Sequence, residues 1–157
     1  MKGDSQVLQL LNRSLRDQLT AINQLFLHAR IAANWGLSRL NDYEYQRSIK
    51  AMKMADKLIE RVLFLEGLPN LQDTGKLMIG EDVPEILSGD LTLMSELRQK
   101  LQEAIRTCES NGDFVSREIL DDLLEETEEQ IDWIETQHWL IENSGLENYL
   151  QSLMGEG

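Results

Sequence analysis

Side chains able to bind a transition metal are few and widely spaced in this sequence. It contains two histidines, His28 and His138, and one cysteine, Cys108. Di-iron sites inside helical bundles commonly use Glu-x-x-His pairs, because residues three apart lie on one face of a helix. Glu135 and His138 form one such pair, but no second pair accompanies it. We therefore interpret the pair as a surface acid beside a partly buried histidine.

The composition limits the kinds of partner. The 157 residues include 15 Lys and Arg against 28 Asp and Glu, a formal net charge of -13. This sign is wrong for binding nucleic acid through its phosphates, and it suits cation handling, a basic partner or solubility alone. A single cysteine allows no disulfide within the chain, which favours a reducing compartment. There is no secretory pattern and no apolar run of about 18 residues, so we expect a cytoplasmic protein without membrane contact.

Apolar residues recur at helical spacing along the chain, without convincing runs of alternating strand residues. The pattern predicts one all-α domain over residues 1–157, with helices over approximately 5–34, 38–66, 84–109, 113–144 and 146–153. Short connections join the first long helix to the second and the third to the fourth, whereas residues 67–83 form a long crossover. This arrangement is typical of a ferritin-like four-helix bundle with a short fifth C-terminal helix.

The second predicted helix carries two apolar stripes. One stripe suits the core of the bundle. The other lies about a quarter-turn or more away and consists of Tyr45, Ile49, Met52 and Ile59. A helix that is apolar on two sides in a soluble protein needs a second covering partner, so we expect a subunit interface, most simply a two-fold dimer.

Short motifs are distributed over nearly the whole chain. They are Met1–Asp4, Ala21–Gln24, Phe26–Arg30, Trp35–Leu37, Ala55–Arg61, Phe64–Asp73, Val115–Arg117 and Leu146–Gln151. In this order, and without gaps, they resemble the bacterioferritin family. The resemblance implies a 24-subunit cage (24-mer) of four-helix subunits with a short fifth helix, ferric mineral stored inside, and haem b at each two-fold interface.

The resemblance also locates the family's di-iron oxidation centre, and every ligand position has changed. Where the family uses carboxylates and histidines, this sequence has Gln18, Ala51, Met54, Met94, Thr127 and Gln130. Amides, thioethers and a hydroxyl are poor ligands for the hard, non-haem iron of such a centre, and in a buried site they need no cation to balance them. We therefore expect no di-iron centre in this subunit and no enzymatic iron oxidation by it.

Met52 matches the family's haem ligand. In bacterioferritins this methionine supplies one axial sulfur to the haem b iron, and the symmetry-related methionine of the partner subunit supplies the other. A methionine in an apolar stripe is by default packing material, so its role as a ligand depends on the resemblance. The residues expected around the haem are Leu19, Ile22, Asn23, Phe26, Tyr45, Ile49 and Lys53.

The resemblance further implies a small iron–sulfur ferredoxin that delivers electrons for iron release. Leu68, Glu81 and Glu85 lie in or just after the predicted crossover, where the family presents the haem edge to this partner. An exposed leucine ringed by acids suits a protein contact. Two surface glutamates can equally serve solubility alone.

The residues are compatible with three functions. The first is a haem-binding, ferroxidase-deficient bacterioferritin subunit that stores iron in a homo- or hetero-24-mer with a ferroxidase-active subunit. The second is a ferroxidase with a relocated metal site, which would be built from Glu125, Glu126, Glu128, Glu129 and His138. The wide angular spread of these glutamates around a helix argues against that site. The third is a cofactor-free structural cage subunit.

Overall fold

All regular elements of the computed structural model, which describes residues 1–155, are helices. They are α1 Ser5–Asn34, α2 Ser38–Phe64, α3 Val83–Ser110, α4 Phe114–Ser144 and α5 Leu146–Leu153. α1 packs chiefly on α2 and α3 on α4, while α5 packs against α4 and α2. The predicted all-α bundle with a long crossover and a short fifth helix is confirmed, and positions 156 and 157 of the predicted domain lie outside the described residues. None of these five helices is both long and apolar enough to cross a membrane.

The end of α2 differs most from its expected boundary. The helix ends at Phe64 rather than at residue 66, because Glu66 adopts a left-handed backbone conformation with a φ of 62°. The Gly67 N–H then turns back to donate to the Val62 carbonyl at 2.9 Å, which closes the last turn. The other boundaries lie within one residue of the predicted positions.

Two hydrophobic clusters follow one another along the bundle. Leu11, Leu58 and Leu120 belong to the first cluster, and Leu25 and Leu87 belong to the second. Full burial of each such side chain contributes roughly 1.5–3 kcal/mol, so this packing sets the rotation of each helix about its axis. At the junction between the clusters, the polar side chains of Gln18, Thr127 and Gln130 enter the core.

The crossover, residues 65–82, runs along α1 and is bound by a polar stripe on that helix. The stripe consists of Asn12, Arg16, Thr20, Gln24 and His28. One residue in every four is polar, and this spacing keeps the five side chains on neighbouring turns of one face.

Four members of the stripe accept hydrogen bonds from the backbone of the crossover. The bonds are Asn70 N–H to Asn12 Oδ1 (3.0 Å), Gly75 N–H to Thr20 Oγ1 (2.7 Å), Met78 N–H to Gln24 Oε1 (2.9 Å) and Gly80 N–H to His28 Nε2 (3.0 Å). The fifth member, Arg16, forms an ion pair with Asp73 at 3.4 Å. An extended segment has no helical partners for its N–H groups, so the side chains of α1 take that role.

Candidate functional site

The six positions that the resemblance assigns to a di-iron centre lie together at the junction of the two core clusters. All six side chains are buried, and they line one cavity of about 10 Å³. The residues are Gln18 from α1, Ala51 and Met54 from α2, Met94 from α3, and Thr127 and Gln130 from α4. A cavity of this size has room for about one water molecule.

The donor groups of these six side chains are neutral and partly engaged by the protein. The Thr127 hydroxyl donates to the Leu123 carbonyl at 2.7 Å, and the Gln130 amide donates to Glu126 Oε1 at 3.4 Å. None of the six supplies a carboxylate or an imidazole, the groups that bind non-haem iron in proteins. The set of side chains therefore does not fit a di-iron centre.

Glu126 supplies the cavity's carboxylate, and two basic side chains of α2 neutralise it. Arg47 Nη1 lies 2.7 Å from Glu126 Oε1, and Lys50 Nζ lies 2.6 Å from Glu126 Oε2. A carboxylate engaged through both oxygens by cations is a poor ligand for a further cation. Sequence reasoning missed this ion-pair cluster, because Glu126 is 79 residues from Arg47 along the chain.

The alternative metal site on α4 does not form. Glu125, Glu128 and Glu129 are exposed, Glu126 points into the core, and His138 is partly buried. No three of these five side chains approach closely enough to share an ion among the described residues. The helix spreads the acids around its circumference, as the spacing indicated.

Met52 lies on the exposed side of α2, and its side chain is 52% exposed. Phe26 of α1 and Tyr45 of α2 are exposed as well, and these two rings are neighbours. We refer to Met52, Phe26 and Tyr45 together as the Met52 surface. Of the other expected haem neighbours, Asn23 and Lys53 are exposed, and the half-buried ones are Leu19, Ile22 and Ile49. All of the expected residues therefore lie on the two helices that form this surface.

Arg30 was not predicted to belong to the Met52 surface, yet its guanidinium caps two of the aromatic rings. It lies 5.2 Å from the centre of the Phe26 ring and 5.1 Å from that of Tyr45. The two rings are themselves 6.3 Å apart. The available sequence signal was the four-residue spacing from Phe26 to Arg30, which places both side chains on one face of α1.

The expected docking residues lie at opposite ends of the crossover. Leu68 is 83% exposed, and its carbonyl accepts from Asn12 near the start of α1 at 3.1 Å. Glu81 and Glu85 are also exposed, but they follow Gly80, which is bonded to His28. Asn12 and His28 are separated by roughly 24 Å at the helical rise of 1.5 Å per residue. Within one subunit, Glu81 and Glu85 therefore lie at the far end of the crossover from Leu68, because the crossover is extended along α1. Their part in docking stays a prediction.

A buried polar cluster that sequence reasoning did not identify consists of His28, Glu44 and Asp90. All three side chains are buried, and ligand-type atoms of the three lie within 4.8 Å of one another. His28 Nδ1 lies 2.9 Å from Asp90 Oδ1, to which the Gln24 amide also donates at 3.0 Å. Burial and the neighbouring Asp90 carboxylate raise the pKa of Glu44 well above its usual value.

Comparison with known proteins gives a consistent result over nearly the whole chain. The family model of the ferritin-like domain matches residues 8–144. Bacterioferritin from Brucella melitensis biotype 1 is 42% identical over 151 residues, covering 96% of this chain and 94% of its own. Bacterioferritins from Rhodobacter capsulatus and Mycobacterium avium are 40% and 38% identical over 149 residues, covering 95% of this chain and 92% and 94% of theirs.

The neutral cavity predicts that a carboxylate restored alone is destabilising. We expect Gln18→Glu to lower the free energy of unfolding by about 1–3 kcal/mol, because burial keeps the new carboxyl protonated and poorly hydrogen-bonded. The loss should grow as the pH rises above about 4.3, where the unfolded chain ionises this glutamate and the folded chain does not. Urea unfolding at pH 5 and pH 8 measures both effects.

Gln9→Glu is the matched control, because Gln9 is exposed on the same helix. This variant should unfold like the parent chain at both pH values. A Gln18→Glu protein as stable as the Gln9→Glu protein at pH 8 would contradict the account of the cavity.

Proposed function

The chain belongs to the bacterioferritin family of ferritin-like proteins, and on that premise we propose that it is a haem-binding, ferroxidase-deficient subunit of an iron-storage cage. The observation that carries the proposal is the chemistry of the core cavity. Gln18, Ala51, Met54, Met94, Thr127 and Gln130 surround it with neutral groups. A subunit with this interior keeps the bundle and lacks the ligands for iron oxidation.

Electrostatics supports the loss of iron oxidation independently of the six positions. An incoming ferrous ion would meet the cations Arg47 and Lys50 beside the cavity, and Glu126 already pairs with both. If a ferrous ion displaced Arg47 and Lys50 from Glu126, both ion pairs would be lost. The two displaced cations would then be left without partners in a partly buried site. The cavity is therefore suited to remain metal-free in a stable subunit.

The Met52 surface supports haem binding at an interface between two copies. Its thioether is accessible, and apolar and aromatic side chains on α1 and α2 offer contacts for a porphyrin. Two-fold symmetry would present Met52 from each copy, so one residue type would supply both axial sulfurs. Lys53 follows the buried Ala51 by two residues on α2 and is exposed, so its ammonium group can pair with a haem propionate. Bound there, haem b would supply one-electron transfer.

Iron storage by such a subunit requires oxidation elsewhere. We propose assembly into a 24-mer with a ferroxidase-active bacterioferritin subunit, which would oxidise iron while this subunit conducts electrons inward for release. A homomeric cage would depend on slow oxidation in solution. Copurification of a bacterioferritin with complete di-iron ligands would support the mixed cage.

The electron donor would be a small iron–sulfur ferredoxin. Leu68 and Glu81 are far apart within one subunit, so a contact that uses both would combine residues from two copies. Such a surface suits a partner that must approach a haem held between two subunits. The acidic side chains would attract a basic ferredoxin face, and Leu68 would supply an apolar contact.

Met52→Leu is expected to abolish haem binding without preventing assembly. Leucine conserves the volume of methionine at a typical cost below about 1.5 kcal/mol but provides no sulfur ligand. Met52→His should retain haem with altered ligation and potential. Absorption spectra and cage size by chromatography measure these outcomes after reconstitution with haem.

Met54→Leu is the control for general loss of methionine, because Met54 is buried two residues away on the same helix. It should retain the haem spectrum of the parent chain. An unchanged spectrum in Met52→Leu would exclude Met52 as the ligand, and a parent protein that takes up no haem would favour the cofactor-free cage subunit.

The chain alone is expected to oxidise ferrous iron no faster than iron oxidises in buffer. The physical reason is the lack of carboxylate and imidazole ligands at the six cavity positions. Stopped-flow absorbance after addition of ferrous iron to a homomeric preparation gives the rate. Rapid, saturable oxidation at about two irons per subunit would contradict the proposal, and a ligand-complete bacterioferritin provides the positive control.

Leu68→Ala and Glu81→Ala are each expected to weaken ferredoxin binding by about 1–3 kcal/mol, with haem content and cage size unchanged. The Glu81 effect should shrink as salt rises, because exposed charges are screened, whereas the Leu68 effect should persist. Titration of the mixed cage with its cognate ferredoxin at two salt concentrations measures both.

Leu71→Ala and Glu118→Ala are suitable controls, because both residues are exposed and neither belongs to the proposed contact. Glu85→Ala is less informative, since Glu85 Oε2 accepts the Glu81 N–H at 2.7 Å at the start of α3. Unchanged affinity in both test variants would show that the ferredoxin docks elsewhere.

A further inference from the structure

The buried cluster of His28, Glu44 and Asp90 contains two carboxyl groups, and no Lys or Arg of residues 1–155 is among its hydrogen-bond partners. The relative exposures of the three residues are 0%, 1% and 2%. They come from α1, α2 and α3, and α5 approaches the cluster through Tyr149. Two ionised carboxylates in such a place would repel each other and lose their hydration without a compensating cation.

Hydrogen bonding identifies His28 as a neutral ring. Its Nε2 accepts the Gly80 N–H at 3.0 Å, so that nitrogen carries no proton. Its Nδ1 then carries the proton and donates to Asp90 Oδ1 at 2.9 Å. Because both ring nitrogens are engaged by the protein, His28 neither neutralises the carboxyl pair nor offers a free lone pair to a metal.

Asp90 and Glu44 differ in the number of hydrogen bonds that their carboxyl oxygens accept. Asp90 Oδ1 receives hydrogen bonds from Gln24 and His28, which stabilise an ionised carboxylate. Both carboxyl oxygens of Glu44 are buried and receive no hydrogen bond from the part of the chain that the structure describes. A buried carboxylate that receives no hydrogen bond is costly. The same group in its protonated form is less costly, because it can donate a hydrogen bond to a neighbouring acceptor.

The remaining polar groups around Glu44 do not supply that proton. On α5, the Tyr149 hydroxyl donates to Gln137 Oε1 of α4 at 2.7 Å. On α2, the preceding Tyr43 is the other titratable group near Glu44, and burial raises its pKa. Both tyrosines are therefore neutral at physiological pH, and Asp90 is the anionic neighbour of Glu44.

We propose that Glu44 retains a structural proton, which it donates to Asp90, and that loss of this proton as the pH rises loosens the junction of α1, α2, α3 and α5. With the proton in place, Asp90 has three donors and the site carries one negative charge rather than two. The proposal is independent of haem and of the metal chemistry of the core cavity.

The direction of the pH dependence follows from the raised pKa of Glu44 in the folded chain. The unfolded chain ionises this residue near its usual pKa of 4.5. Between that pH and the folded pKa, the folded chain binds one more proton than the unfolded chain, so stability falls as the pH rises. The contribution is fully present below the unfolded pKa and is lost once the pH passes through the folded pKa.

Glu44→Gln tests the proposal, because the amide can donate to Asp90 and cannot ionise. The melting temperature of the parent protein should fall relative to Glu44→Gln by roughly 3 °C per pH unit until the folded pKa is reached. Melting curves at pH 6, 7, 8 and 9 provide the comparison. Glu118→Gln, an exposed control on α4, should keep the pH profile of the parent.

Infrared spectroscopy provides a second readout that a merely structural role of Glu44 would not change. At pH 7 the parent protein should show the carbonyl band of a protonated carboxylic acid, and Glu44→Gln should lack it. Parallel melting profiles together with the absence of this band would overturn the proposal.

A bound cation is the competing explanation of the carboxyl pair. Metal-free protein titrated with calcium or ferrous ions should show no stabilisation that depends on Glu44. If either ion raised the melting temperature of the parent but not of Glu44→Gln, the cluster would be a cation site and the structural proton would be excluded.

Discussion

The attachment of the crossover to the polar stripe of α1 is the constraint on which the arrangement of the bundle depends. The crossover must pass the length of the molecule to connect α2 with α3, and its backbone donors have no regular partners. Side chains of α1 from Asn12 to His28 accept them in order. This fixes where α3 begins, and the shared partner Asp90 ties α3 directly to Gln24 and His28. The stripe therefore sets both the path of the chain and the geometry of the buried acid cluster.

The interior deals with charge in three different ways. At the core cavity the six positions are neutral, so no metal is needed to hold them together. Glu126 is balanced by Arg47 and Lys50, which reach it from α2. At the α5 end, the acid pair Glu44 and Asp90 has no Lys or Arg partner among the described residues, and the neutral His28 does not balance its charge. A proton is the smallest cation that can compensate this pair. Each arrangement avoids an isolated buried charge, because burying a charge without a partner costs roughly several kcal/mol or more of folding free energy.

The exterior has the complementary property of exposing apolar groups. Met52, Phe26 and Tyr45 remain accessible on the face of α1 and α2, although their burial would be favourable. Leu68 is exposed at one end of the crossover and Glu81 at the other, so the proposed ferredoxin contact would use residues of two copies. Assembly would thus complete surfaces that a single chain leaves open, and the proposed haem and ferredoxin contacts both belong to such surfaces.

The sequence by itself determined the helices, their order and the long crossover, because apolar periodicity and helix breakers act over a few residues. The resemblance also predicted that six positions form one site, namely Gln18, Ala51, Met54, Met94, Thr127 and Gln130. Only the tertiary structure decided which charged side chains meet, because that depends on the rotation and register of helices distant in the chain. Glu126 was considered as part of an α4 metal site but pairs with Arg47, 79 residues away, and His28 meets Asp90 across 62 residues. The separation of Leu68 from Glu81 was likewise hidden, because the sequence does not indicate that their connecting segment is stretched along α1.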